Sequence, residues 1–184
     1  MHIIAGDFKG RVLKMPKSKL VRPTREIVRK AVFDVLGDLV AGKDVLDLFS
    51  GSGAFGFEAL SRGAKRVSFV ENKKVCLRVI KTNISILGVN KRCKVIAQNA
   101  FHALNAMQKK ELRFQIIFAD PPYYQDLAKK CLLKIGKYDI LSRPGFLIIE
   151  HYKRDDLPAQ GNALTLWKHK KYGDTSVSFY QVRA

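Results

Sequence analysis

From Lys43 onward, short apolar runs alternate with helical segments, and this alternation limits the folds open to the chain. The runs are DVLDLF, RVSFVE, CKVIAQ, FQIIFA and GFLIIEH; between them lie AFGFEALSRG, KKVCLRVIKTNISILG, FHALNAMQKK and a helical stretch near residues 125 to 136. Runs that are β-branched and nearly continuous in apolar character suit a parallel sheet covered on both faces, since a half-wet sheet would alternate. The C-terminal segment changes register: ALTLWKHKKYGDTSVSFYQV reads as two strands about a Tyr172-Gly173-Asp174 turn, giving antiparallel edge strands. The expectation is an α/β fold with a seven-stranded, mostly parallel sheet and an antiparallel terminal hairpin. Ahead of it, His2 to Ile4 and Arg11 to Leu13 fit a small hairpin. RPTREIVRKAVFDVLGDL fits a helix with Thr24 as N-cap after Pro23 and with Val28, Ala31, Val32, Val35 and Leu36 on one stripe. Arg22, Arg25 and Arg29 recur off that stripe, so one face would pack while the other stays cationic. A length of 184 residues suits one domain, with 1–42 as a basic N-terminal extension and 43–184 as the core.

Charge narrows the partners. The chain has 34 Lys+Arg against 16 Asp+Glu, a net +18, which suggests a polyanion. Residues 9 to 30 alone carry nine basic side chains and one acid, Glu26. A solvated basic face and a nucleic-acid face both fit this run; an anionic membrane fits less well, for no long apolar face accompanies it. No apolar run approaches the roughly 18 residues that cross a bilayer. The first ten residues, with Asp7 and no apolar h-region, do not read as a secretory signal. Cys76, Cys93 and Cys131 are widely spaced and form no Cys-x-x-Cys pair, which favours reduced thiols in a cytoplasm. No histidine has a partner at metal-ligand spacing, so no metal is expected. His151 lies near a strand end, where it could border a pocket, but reads rather as a surface residue; Trp167, within a strand-like run, reads as packing rather than base stacking.

In an open α/β sheet, ligands sit outside the carboxyl ends of the strands, so those ends carry the candidate site. After DVLDLF comes Ser50-Gly51-Ser52-Gly53-Ala54-Phe55-Gly56, a G-x-G-x-x-G between strand and helix, with Asp47 and Phe49 closing the strand before it. Glu71 ends the next strand about 20 residues on, where a ribose-binding acid belongs. A dinucleotide loop and a packing loop are both compatible with this much. The third strand end offers Gln98-Asn99-Ala100-Phe101, where an amide and an aromatic ring could meet an adenine, or where Asn99 could simply cap a helix.

The fourth strand end is Asp120-Pro121-Pro122-Tyr123. The prolines fix φ twice, remove two N–H donors and hold Asp120 extended. What remains is a stiff loop of acceptors, the Asp120 carboxylate and nearby carbonyls, followed by a flat ring. Such a loop suits a planar exocyclic amine. Hydrogen bonds from both of its N–H groups would favour pyramidalisation, direct the lone pair outward and stabilise the charge that develops as nitrogen attacks. Tyr123 would stack on the extruded base. A plain turn is the competing reading of the tetrapeptide alone.

Together, DLFSGSGAFGFEALSRGA, FVE and FADPPY resemble the S-adenosylmethionine-dependent amino-methyltransferases. With RPTREIVRKAVFDVL near one end and KKYGDTSVSFY at the other, nearly the whole chain resembles the RsmD family of bacterial small-subunit (16S) ribosomal RNA guanine-N2 methyltransferases. DPPY alone marks a broad set of enzymes; RPT-x-x-x-V-R beside it is far more specific. The resemblance implies a Rossmann-like class I methyltransferase fold that uses S-adenosyl-L-methionine. Asp47, Phe49, Gly51, Ser52 and Gly53 would hold the methionine end of the cofactor, Glu71 its ribose hydroxyls, and Asn99 and Ala100 its adenine. Asp120, Pro121, Pro122 and Tyr123 would hold the target base. Arg22 and Thr24 match the N-terminal motif and, with Arg11, Arg25 and Arg29, would receive RNA; Thr24 as a helix cap and Arg22 as surface charge stay open.

The family usually carries an acid where this chain has Asn99. The Asn amide oxygen still accepts from the adenine amine, so weaker or altered cofactor affinity is expected rather than its loss. The implied chemistry is direct in-line methyl transfer to N2 without a covalent enzyme intermediate, by a cytoplasmic monomer acting on ribosomal RNA, free or within the small subunit or its assembly intermediate. Two alternatives remain. A methyltransferase acting on adenine N6 would use the same four residues, but on DNA it would lack a sizeable target-recognition domain. A non-catalytic RNA-binding assembly factor would have no need of Asp120, Glu71 and the glycine loop together.

Overall fold

A computed structural model describes residues 1–16, 26–123 and 126–182. Arg22, Thr24 and Arg25, expected at the N-terminal RNA contact, lie outside the described residues, as does Tyr124. The chain divides into two compact units, Met1–Ala100 and Phe101–Ala184.

In the first unit, β1 (Asp44–Leu48), β2 (Arg66–Glu71) and β3 (Cys93–Ala97) run parallel in the order β3-β2-β1. The register puts Asp47 opposite Phe69, and Glu71 opposite Ala97. The first three of the strand ends singled out above therefore lie side by side. Four helices accompany these strands or begin at their end: α1 (Glu26–Leu36), α2 (Ala54–Ser61), α3 (Lys74–Leu87) and α4, which opens at Ala100 and continues to Lys109. Every residue of α2 is buried, and the reason is visible at Gly56. A Cβ there would fall 2.3 Å from the Phe69 ring and 2.8 Å from Val67, so glycine lets the helix lie directly on β2. Phe57 and Phe69 then meet with ring centroids 4.9 Å apart, worth about 0.5–1.5 kcal/mol beyond the area they bury.

The N-terminal segment makes the expected antiparallel bridge, His2 with Val12, and Ile3 N–H donates to the Arg11 carbonyl at 3.0 Å. It is strapped to this unit by side chains. Glu58 of α2 accepts from the Ile4 and Ala5 amides, and Asn83 of α3 both accepts from the Lys14 N–H and donates to its carbonyl.

The stripe on α1 differs from the expected one. Its buried residues are Val28, Arg29, Val32, Phe33 and Leu36, while Ala31 and Val35 are half-buried. Arg29 is fully buried, which corrects its assignment to a cationic, RNA-facing surface. Its guanidinium donates to the Met1 sulfur and the His2 carbonyl and lies 3.6 Å from Glu58. Burial pulls the Arg29 pKa down and Glu58 pushes it back up. Its work is to join the N-terminal segment to α2.

In the second unit, β4 (Phe114–Ala119) pairs parallel with β5 (Leu141–Tyr152). Beyond β5 the sheet is antiparallel: β8 (Thr175–Val182), β7 (Leu164–Tyr172), then β6 (Gln160–Gly161). The terminal hairpin is as expected, with Gly173 at φ 65° in its turn. Among the described residues the two-residue β6 brings the strands to eight rather than seven, a run too short to show as a pattern. Helix α5 (Leu127–Lys137) buries Ala128, Cys131, Leu132 and Ile135. Among the described residues, no helix is long and apolar enough to cross a membrane.

Candidate active site

The loop after β1 is built from left-handed residues: Phe49 at φ 58°, Gly51 at 54° and Gly53 at 81°. For a bulky residue such as Phe49 this conformation costs roughly 1–3 kcal/mol, and strain of this kind gathers at functional sites. The loop is held at three points. Ser50 hydroxyl donates to the Asp47 carbonyl at 2.6 Å, Ser50 N–H donates to the Val70 carbonyl at 3.0 Å, and Gly51 N–H donates to Glu71 Oε2 at 2.9 Å. Glu71 Oε1 also accepts from Asn72 and Lys73 N–H, so one buried carboxylate gathers three backbone donors and ties the end of β2 to the loop after β1.

Asp47 is buried and its Oδ2 accepts from Gly56 N–H at 3.0 Å, in the first turn of α2. A carboxylate there satisfies an orphan donor and sits at the positive end of the helix dipole, worth about 0.3–2 kcal/mol. Sequence reasoning gave Asp47 to a ligand; in the structure it also anchors α2. A Cβ on Gly51 would meet nothing nearer than the Phe49 carbonyl at 4.0 Å, so the loop leaves open space where a ligand can approach the backbone. Gly53 differs, for a Cβ there would fall 2.7 Å from Phe57. Ser52 is buried, and its carbonyl accepts from Asn83 at 3.5 Å. At the end of β3, Asn99 is exposed and Ala100 is buried. Arg11 is exposed and donates to the Ile86 carbonyl in the last turn of α3.

In the second unit Asp120 follows β4 and is half-buried, Pro121 is buried and Pro122 is exposed. Tyr123 is braced in a way the sequence did not reveal. Its hydroxyl donates to Glu150 Oε1 on β5 at 3.2 Å and shares a 2.9 Å bond with Thr175 Oγ1 on β8. Its ring lies 6.1 Å from that of Tyr152. Burial pushes the Tyr123 phenol well above its ordinary range, Glu150 and Asp120 add to the shift, and the Thr175 bond pulls part of the way back. The phenol is thus a fixed, protonated post that orients its ring. Phe101 is half-buried and has the Lys130 ammonium 4.7 Å from its ring centroid, so a cation already occupies that ring.

The three thiols make poor nucleophiles. Burial pushes Cys93 and Cys131 up to about 12 and raises Cys76 as well. His151, expected at the surface, is buried instead. It bonds the Tyr152 carbonyl and shares Ser178 Oγ with His169, across β5, β8 and β7. Burial holds His151 below the usual histidine value; the Tyr152 carbonyl and Asp155 oppose the shift, and His169 adds to it. Between its folded value and about 6.5 the unfolded chain binds more protons, so stability rises with pH there. Urea melts should show stability lost as pH falls below about 6.5. In His151→Gln the slope should shrink; an equal slope in both proteins would refute the assignment.

A strained glycine loop beside an acid at the next strand end, and Asp-Pro-Pro-Tyr closing a later strand, sit in the Rossmann-like fold of class I methyltransferases, which the solved structure of yhhF from Escherichia coli matches with a TM-score of 0.86 at 28% identity over 100% of this chain and 98% of that one. YlbH of Bacillus subtilis (strain 168) is 37% identical over 183 residues, covering 100% of both chains. Ribosomal RNA small subunit methyltransferase D of Haemophilus influenzae is 34% identical, covering 98% of this chain and 93% of its own. The model of the family described as Conserved hypothetical protein 95 matches residues 1–181, and the chain belongs to this family, the RsmD family.

Proposed function

We propose that the chain transfers the methyl group of S-adenosyl-L-methionine to the exocyclic N2 of a guanine in small-subunit ribosomal RNA. The observation that carries this reading is Asp-Pro-Pro-Tyr closing β4 with Tyr123 braced by Glu150 and Thr175, in a chain of the RsmD family. The relatives' names point to ribosomal RNA as substrate.

The first unit fits the cofactor. The open space beside Gly51 admits a ligand to the backbone, and Glu71 has acceptor capacity beyond the three amides it holds. Gly51, Ser52 and Gly53, with Asp47 and Phe49 behind them, would cradle the methionine end; Glu71 would accept from ribose hydroxyls; Asn99 and Ala100 would border the adenine. When bound, the cofactor supplies an electrophilic methyl on a sulfonium. The chain's residues prepare the amine. Asp120 and a carbonyl near Pro121 accept the two N2 hydrogens, the prolines keep competing donors away, and Tyr123 offers its ring to the base. As N2 bonds to the methyl and positive charge develops on it, the Asp120 carboxylate stabilises that charge, and one of the two N2 protons then leaves along this hydrogen bond to solvent, giving the neutral methylamine.

Arg11 with Arg22, Thr24 and Arg25 would receive the RNA; Arg29, buried, would not. The enzyme would act as a cytoplasmic monomer, on free RNA or on the subunit and its assembly intermediates. The test is methyl transfer from labelled cofactor to unmodified small-subunit RNA, free and as particles, followed by nucleoside mass spectrometry. N2-methylguanosine is expected. N6-methyladenosine, or no incorporation in either substrate, would overturn the proposal.

A further inference from the structure

Trp167 is the chain's one tryptophan, 40% exposed, and lies where the β7–β8 register slips between Leu166 and Lys168. A bulge of this sort adds a residue and re-aims a side chain. The indole is fixed, with Phe146 at 5.4 Å and Phe179 edge-on at 6.3 Å, and the Lys168 ammonium lies 5.5 Å from its ring. Lys168, His169, Lys170 and Lys171 follow, all exposed. Among the described residues none of these three lysines is in an ion pair, whereas Lys153 holds Asp174 at 2.7 Å.

The outer side of β7 is open along this stretch. β6 pairs only with Leu164 and Thr165, and Leu166 N–H is taken by the Ala159 carbonyl. Among the described residues, no strand pairs with that side beyond Leu166. Lysines guard an open edge against strand pairing. That duty does not call for a rigid, part-exposed indole beside them. A row of cations next to an immobile aromatic ring suits one polyanion in particular, a single strand of nucleic acid with phosphates along the cations and a base on the ring.

We propose that the β7 edge from Trp167 to Lys171 is a docking strip for single-stranded RNA, with Lys168, Lys170 and Lys171 at phosphates and Trp167 under an unpaired base. The net charge of +18 favours such a partner. The strip rests on the RNA-substrate reading above and lies outside the residues assigned to RNA there.

The single tryptophan makes the test direct. The full chain without cofactor is titrated with a single-stranded RNA of about 12 nucleotides while indole emission is followed. Binding should quench the emission. The variant Lys168→Glu/Lys170→Glu/Lys171→Glu, altered only at exposed side chains and checked for native circular dichroism, should bind at least about tenfold more weakly, with the slope of log K against log salt reduced by about 2, roughly 0.7 per phosphate contact. Emission unchanged by added RNA, or equal affinity and slope in the variant, overturns the strip, as does equal quenching by anionic phospholipid vesicles. The readout needs no methyl transfer. Quenching without N2-methylguanosine sinks the proposed function alone, and methylation without quenching sinks the strip alone.

Discussion

Asp120→Ala lowers the single-turnover rate of methyl transfer by about 10²- to 10³-fold and leaves cofactor affinity within about threefold, because it removes an acceptor that acts on developing charge. Asp120 directly follows β4 and is fixed on its far side by the buried Pro121, so its carboxylate is presented by a stiff backbone rather than a mobile loop. Its field reaches the Tyr123 phenol, where it contributes to the upward shift. Asp120→Asn is the sharper comparison. It keeps one acceptor of the same shape but adds an N–H₂ donor where the amine's own hydrogens must point, so it should retain little more activity than alanine. Rapid-quench measurement with labelled cofactor, beside calorimetry of cofactor binding, separates rate from affinity. A rate for Asp120→Ala within about threefold of the parent would remove Asp120 from the mechanism.

Glu58→Ala should destabilise the chain by about 3–5 kcal/mol, the range for breaking a buried ion pair by removing one partner. Glu58 is fully buried and serves four groups: the Ile4 and Ala5 amides, Arg62 Nε at 2.9 Å and Arg29 Nε at 3.6 Å. Its removal leaves Arg29, also fully buried, without its ion-pair partner and with only the weaker attraction of Glu26, and two backbone amides without an acceptor. For a chain of this size the loss should lower Tm by about 10 °C. Limited proteolysis should find the first residues newly accessible, since the strap that Glu58 holds is released. Replacing Arg29 and Glu58 together with apolar residues should recover part of the loss. A Glu58→Ala melt within about 1 kcal/mol of the parent would show that the pair is solvated and the reading wrong.

These two residues differ in how plainly the sequence displays them. Asp120 is legible because the prolines, the acid and the ring are consecutive and the strand before them is a continuous apolar run. The parallel core is legible for the same reason, since strands buried on both faces write themselves as blocks such as IIFA and VSFV. Glu58 and Arg29 are not. They are 29 positions apart, and each looks like an ordinary surface charge on its own helix; only the docking of α2 against the N-terminal segment buries both. Tyr123 is an intermediate case. Its place at the strand end is readable, but its partners Glu150 and Thr175 lie 27 and 52 residues away on β5 and β8, brought there by the parallel β4–β5 and antiparallel β5–β8 pairings, which no local pattern specifies. His151 is not legible either, for nearness to a strand end suggests exposure, whereas its ring is held among the Tyr152 carbonyl, Ser178 and His169. Trp167 was read as packing, which accounts for the side of its ring against Phe146 and Phe179 and not for the rest.

The carboxylate of Glu71 carries a consequence for how affinity and stability are linked. It holds the Gly51 loop from within the chain, so the entropy lost in ordering that loop belongs to folding, and a ligand meets a surface already in shape. Loosening Glu71 would therefore register twice: once as a chain easier to unfold, and again as a ligand that must do the ordering itself.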